Sequence, residues 1–221
     1  MNGKLVVIDG GDGSGKKTQT ALLKEHLEKD GHPVVTIDFP QYEENNVGRL
    51  IKECLAGKHG DFLSLDPKIA SILYAVDRFE NKEQLESWLN EGKIIVSDRY
   101  ISANMLHQGG KIGEEKVRED FFVWLDVLEH EIFGLPRPDL VVYCDVDFRK
   151  RLALLKAEAE SSGVAVDVAE EDATHQAQAD AAAKQLIGLY QWHTVSCMEG
   201  DNMRTPQEIH EDIYQQVKEL L

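Results

Sequence analysis

The residues Gly10-Gly11-Asp12-Gly13-Ser14-Gly15-Lys16-Lys17-Thr18 have the types and spacing needed to hold a phosphate. Glycines at 10 and 15 allow a tight turn in which successive backbone N–H groups converge on an anion, and Lys16 supplies a cation that can follow β- and γ-phosphates. The GxxxxGK spacing is complete. At the next position, where a Ser or Thr hydroxyl ordinarily meets Mg²⁺, stands Lys17, and a hydroxyl comes only at Thr18. A second set of residues suits a planar base carrying a phosphate. Tyr74 and Arg78 lie one helical turn apart and share a face, Arg99 ends an apolar run, and Asn104 opens the stretch after it. The ring stacks on a base, amide and guanidinium donate to its carbonyls, and Arg99 holds the phosphate.

The elements that must position these groups alternate. A strand at Lys4–Asp9 leads into the glycine loop and a helical stretch at Thr18–Leu27 leads out, the context a phosphate loop requires. Gly31-His32-Pro33 breaks the pattern before a second strand, Val34–Phe39, and a short helix follows at 47–56. Pro67 opens a helix with Ile69, Ile72, Leu73, Val76 and later Leu85 and Leu89 at helical spacing. The third strand, Lys93–Asp98, is almost continuously apolar, as a strand covered on both faces should be. Helices at 101–108 and 114–133 follow, the second with Phe121, Phe122, Trp124, Leu125, Leu128 and Ile132 on one side.

Pro136-Arg137-Pro138 forces an extended approach to a fourth strand, Asp139–Asp145. Residues 147–159 read as helix, small residues at 161–167 break it, and an alanine-rich helix runs from about Glu170 to Trp192. A fifth strand at Thr194–Met198 and a helix begun by Thr205-Pro206-Gln207-Glu208 complete the chain. Alternating strands and helices imply an α/β fold with a parallel sheet, whose right-handed crossovers put every post-strand loop on one edge. The phosphate loop, Phe39-Pro40, Asp98-Arg99 and the loop after Cys144 should therefore converge, where ligands of such sheets bind.

A length of 221 residues suits one domain with an appended mobile segment. The net charge of −16 argues against nucleic acid as a partner, because a phosphate backbone needs a basic surface. No apolar run is long enough to cross a membrane and no signal-like segment opens the chain, so the expectation is a cytoplasmic protein. Cys54, Cys144 and Cys197 are odd in number and scattered, which suggests neither a disulfide framework nor a zinc site.

The chain resembles the thymidylate kinase family of P-loop nucleoside monophosphate kinases. The resemblance is carried by Asp9–Thr18, Phe39-Pro40-Gln41-Tyr42, Tyr74-Ala75-Val76-Asp77-Arg78, Asp98-Arg99-Tyr100-Ile101-Ser102-Ala103-Asn104 and Gly134–Asp139. It implies a P-loop NTPase fold with a five-stranded parallel sheet, one domain over 1–221, a flexible lid at about 156–172 and a homodimer joined through the 114–133 helix. It also implies transfer of a phosphoryl group from ATP to dTMP with Mg²⁺. Residue by residue, it implies that Asp12 meets the sugar 3′-hydroxyl or the metal shell, Tyr74 stacks on thymine, and Arg78 reaches its exocyclic oxygen. Asn104 reads the base edge, Arg99 holds the acceptor phosphate with Tyr42 beside it, and Asp98 supports Mg²⁺. His107 and Gln108 fall near the sugar. Arg204, in the loop after the fifth strand, is placed against adenine.

Three departures from the family pattern stand out. Gly13 occupies a position where some members carry an arginine that reaches the transferring phosphoryl group. The expected lid holds Lys156 and no arginine, with acids at 158, 160, 167, 170, 171 and 172. Gln41 replaces a residue that is often basic. A missing arginine can cost a factor of ~10³–10⁵ in rate, so Lys17, Arg149 or Arg151 is expected to supply that charge. Two rivals stay open: a kinase for another nucleotide or deoxynucleoside, and a nucleotide-binding protein with weak transferase activity.

Overall fold

A computed structural model describes residues 3–162 and 173–221. Five parallel strands, β1 (Lys4–Asp9), β2 (Val34–Asp38), β3 (Ile94–Asp98), β4 (Leu140–Asp145) and β5 (His193–Ser196), form one sheet in the order β2-β3-β1-β4-β5. In the middle, Val6 of β1 aligns with Val96 on one side and Leu140 on the other. The two-residue alternation of β1 divides the core. Leu5 and Val7 face a cluster with Phe121, Phe122 and Leu125, while Val6 and Ile8 face one with Leu23, Leu27, Ile209 and Ile213. Both faces are covered, which is why β1 and β3 are apolar nearly throughout.

Helix α1 (Lys16–Lys29) begins at the loop lysine, and α9 (Pro206–Leu220) packs beside it. Helix α9 starts on a capping box between Thr205 and Glu208, as the sequence predicts. On the other face lie α5 (Ile101–Gly110), α6 (Glu115–Asp126) and α8 (Ala173–Tyr190). Helices α5 and α8 approach very closely. A Cβ on Gly110 would come within 2.9 Å of the Ala179 nitrogen, and Ala182 and Ala183 are buried. Of the alanine run at 181–183, Ala182 and Ala183 are thus core, and Ala181 is exposed.

Several elements differ from the sequence expectation. The helix opened by Pro67 is two helices, α3 (Pro67–Glu80) and α4 (Lys82–Asn90), parted at Asn81, whose side chain donates to the Asp77 carbonyl. The stretch expected at 114–133 is α6 followed by a π-helical turn, Val127–Ile132. The fifth strand ends at Ser196, and a hairpin of β6 (Met198–Glu199) and β7 (Asn202–Met203) follows. Helix α2 (Asn46–Leu55) agrees with the reading, and α7 (Phe148–Ser162) runs past its expected end. Of the expected lid, residues 163–172 lie outside the described residues.

The apolar positions of the 114–133 stretch divide: Phe121, Phe122 and Leu125 are core, while Val117, Val123 and Ile132 are exposed, as are Ile69, Ile72 and Phe79 of α3. The three cysteines are free and buried. No described helix is long and apolar enough to cross a membrane.

Candidate active site

The post-strand loops converge as expected. One cleft at the carboxyl edge of the sheet is lined by Asp12, Asp38, Phe39, Tyr42, Tyr74, Arg78, Asp98, Arg99, Tyr100, Asn104, His107, Gln108 and His175. Every acceptor-side residue named from the sequence is among them.

The phosphate loop meets this cleft at Asp12. Lys16 is buried, and its Nζ donates to the carbonyls of Gly10 (3.0 Å) and Gly11 (2.9 Å). Burial and the charge of Arg99 lower its ammonium pKa, against the pull of Asp12, Asp98 and Asp9. Ser14 is buried with its Oγ unpaired, while Lys17 and Thr18 are exposed. Gly13 has φ +78°, the left-handed region, and a Cβ there would lie 2.8 Å from the Arg151 carbonyl oxygen. An arginine at 13 does not fit this loop, a physical reason for the first departure.

Asp12 and Arg99 form a close ion pair on the lip of the cleft, and the Gln176 amide donates to the other Asp12 oxygen at 2.9 Å. Burial alone would raise the Asp12 carboxyl, but Arg99 leads the opposing groups that hold it well below the usual range. Arg99 has φ +67°, rare for a residue with a Cβ, and is fixed there by its N–H on the Ile8 carbonyl and by the Ser97 hydroxyl on its own carbonyl (2.5 Å). Such strain costs about 1–3 kcal/mol and tends to sit at functional positions.

Asp98 and Asp38 are register partners at the ends of β3 and β2. Asp98 Oδ1 is buried without a hydrogen-bond partner. Burial, then the Asp98 charge, raises the Asp38 carboxyl, with Lys17 opposing. These two carboxylates and the phosphates of a substrate are the donor set Mg²⁺ favours. Asp12 fits that set less well, because one of its oxygens pairs with Arg99 and the other with Gln176.

The far wall carries Tyr74, Arg78 and Asn104. Tyr74 stands beside Phe62, ring centroids 6.0 Å apart. Arg78 is buried and held by a residue the sequence reading missed: Glu129 accepts from its Nε (2.6 Å) and Nη2 (2.5 Å). Its Nη1 lies 3.5 Å from the Tyr100 carbonyl, and the residue lines the cleft. The Asn104 amide donates to the Ser71 carbonyl (3.2 Å) and to Glu129 (3.3 Å), so one buried carboxylate orients both Arg78 and Asn104. Glu129 falls on the side of the 114–133 stretch that carries Phe122 and Leu125, and an acid among those apolar positions was the one available signal. The Tyr100 hydroxyl donates to Pro136.

His107 stacks on His175, centroids 5.4 Å apart and planes 16° from parallel. Burial first, then Arg99 and His175, brings its pKa down to about 3. His175 and Gln176 come from α8 and were also missed, because the alanine-rich pattern there reads only as packing.

The donor-side cations separate. Arg149 is exposed beside a second cleft lined by Phe148, Lys150, Ser196, Met198 and Asp201. Arg151 is buried behind the loop, with donors on Val146 O, Asp12 O, Gln176 Oε1 and Asp180 Oδ1. It braces the loop and is corrected as a source of the missing charge. The Arg204 guanidinium is held by the carbonyls of Ser196 and Glu208 and by Asp212, next to the second cleft rather than among its lining residues.

A family model described as thymidylate kinase matches residues 8–203. The chain belongs to the thymidylate kinase family. It is 34% identical over 149 residues to thymidylate kinase of Clavibacter sepedonicus, a match covering 66% of this chain and 65% of that protein, just under two thirds of its length. With the probable thymidylate kinase of Pyrococcus abyssi it shares 32% identity over 159 residues, 71% of this chain and 72% of that one. A solved structure of thymidylate kinase from Candida albicans has the same fold, with a TM-score of 0.73 at 22% identity, covering 98% of this chain and 92% of that one.

Proposed function

We propose that the protein transfers the γ-phosphoryl group of ATP to dTMP, giving ADP and dTDP. The observation that carries this reading is the Asp12–Arg99 pair, which joins the phosphate loop to a cleft walled by Tyr74, Arg78 and Asn104. It joins a donor-phosphate cradle to a base-reading pocket, as transfer between two nucleotides requires.

The acceptor phosphate takes the Arg99 guanidinium, with Tyr42 beside it, and Asp12 lies within reach of the sugar hydroxyl. Lys16 leaves the carbonyls of Gly10 and Gly11 for the phosphoryl group in flight. An acceptor oxygen bonds to the γ-phosphorus as the bond to the ADP oxygen breaks, so no side-chain nucleophile is needed. Mg²⁺, when bound, neutralises phosphate charge; Asp98, with Asp38 beside it, would hold it. With Arg151 committed behind the loop, the remaining charge falls to Lys17 and Arg149. The described residues act as one unit.

The exposed apolar side chains of the 114–133 stretch, Val117, Val123 and Ile132, and of α3, Ile69, Ile72 and Phe79, are the surface for a second copy in a homodimer. Free buried cysteines accord with a cytoplasmic setting, and the acidic chain with small nucleotides rather than nucleic acid as partners. A coupled assay of ADP release with dTMP, dUMP, dCMP and thymidine tests the reading. Release with dTMP and not with thymidine is expected; background release with every acceptor leaves only nucleotide binding.

A further inference from the structure

We infer that Gln176 is a positioning residue that ties the acceptor side of the site to the brace behind the phosphate loop. It is buried to 1% exposure, and its single amide faces both ways. Its Nε2 donates to Asp12 Oδ2 at 2.9 Å, and its Oε1 accepts from Arg151 Nη1 at 3.0 Å. Asp12 carries Arg99 on its other oxygen, and Arg151 lies so close beneath the loop that a Cβ on Gly11 would come within 1.8 Å of its Nη1. One side chain thus touches the group that meets the acceptor and the group that sets the loop's shape.

The position of Gln176 is fixed by packing. It lies near the start of α8, which rests on α5 through the Gly110–Ala179 approach, and Asp180 one turn further along neutralises Arg151. An acceptor phosphate competes with Asp12 for Arg99. Gln176 is then the neutral donor that keeps the Asp12 carboxylate in place. Only an amide satisfies both neighbours: an acid keeps the Arg151 contact and sets a second anion against Asp12, and a hydrocarbon loses both contacts.

This inference rests on the reading of the cleft as a dTMP site, and the experiment separates the two. Wild type, Gln176→Glu, Gln176→Leu and Asp180→Asn are compared by kcat, by KM for each substrate and by calorimetric titration of dTMP without ATP, with melting curves alongside. Gln176→Glu is expected to weaken dTMP binding and raise its KM at least ~10-fold while the KM for ATP stays within about threefold, the loss typical of a hydrogen bond to a charged group. Gln176→Leu raises both KM values. Asp180→Asn, which leaves the Asp12 contact intact, raises the KM for ATP and leaves dTMP binding within about twofold. Equal effects on both substrates in Gln176→Glu, a change in melting temperature alone, or an Asp180→Asn variant that loses dTMP as much as ATP overturns the inference while wild type still phosphorylates dTMP. A wild type that neither binds nor phosphorylates dTMP removes the underlying reading as well.

Discussion

Restoring an arginine to the phosphate loop by Gly13→Arg should damage the protein rather than improve it. Gly13 has φ +78°, a region that costs a residue with a Cβ about 1–2 kcal/mol. The new Cβ would meet the Arg151 carbonyl oxygen at 2.8 Å and Leu155 Cγ at 3.0 Å. One contact is backbone on the braced helix α7, so the loop must move, at an overpacking cost of about 1–3 kcal/mol. A combined loss of about 3 kcal/mol depletes the competent loop roughly 100-fold. For a chain of this size it also lowers the melting temperature by about 6–12 °C. Melting curves and coupled ADP release on the same preparation measure both effects. A variant that melts with wild type and turns over faster would refute the account of Gly13, and with it the claim that Arg151 and α7 set the loop's shape.

Other expectations follow from the same geometry. Glu129→Ala leaves Arg78 buried without its counter-charge and should cost about 3–5 kcal/mol; a denaturant midpoint unchanged from wild type counts against the pair's role. Lys17→Ala should lower kcat at least ~10-fold while the KM for dTMP holds, and turnover within twofold of wild type rules Lys17 out as the missing charge. His107, brought by burial down to about 3, is neutral across pH 5–8, so its ring resonances should not titrate there. Its folded pKa lies below the unfolded value of about 6.5, so its contribution to stability is complete above that pH and is lost as pH falls towards 3. A His107 inflection near 6.5 by NMR contradicts its enclosure against His175.

The parts of the fold that follow from one-dimensional patterns were legible in the sequence. The strands β1, β3 and β4 carry buried runs, the glycine loop sits between a strand and a helix, and Asp98-Arg99 had to fall at a strand end. Residues that join the site across the fold were not legible. Glu129 reaches Arg78 over 51 positions and falls among apolar positions of the 114–133 stretch. Gln176 enters because Gly110 and Ala179 let two helices touch, a close approach that no periodicity encodes. The break at Asn81 and the π-helical turn leave the apolar spacing nearly intact, so one long helix is the natural reading of each stretch. Arg151 was rightly drawn to the loop, but only its surrounding acceptors, Asp180 among them, show that it braces rather than reaches for phosphate.

The central claim is that the Asp12–Arg99 junction passes a phosphoryl group between two nucleotides. ³¹P NMR of the protein with ATP, dTMP and Mg²⁺ follows that group directly. The account predicts that the ATP γ-signal and the dTMP signal fall together as the two resonances of dTDP rise, and that Arg99→Met slows this exchange by at least ~10-fold. Growth of inorganic phosphate alone, or a mixture that does not change, contradicts it.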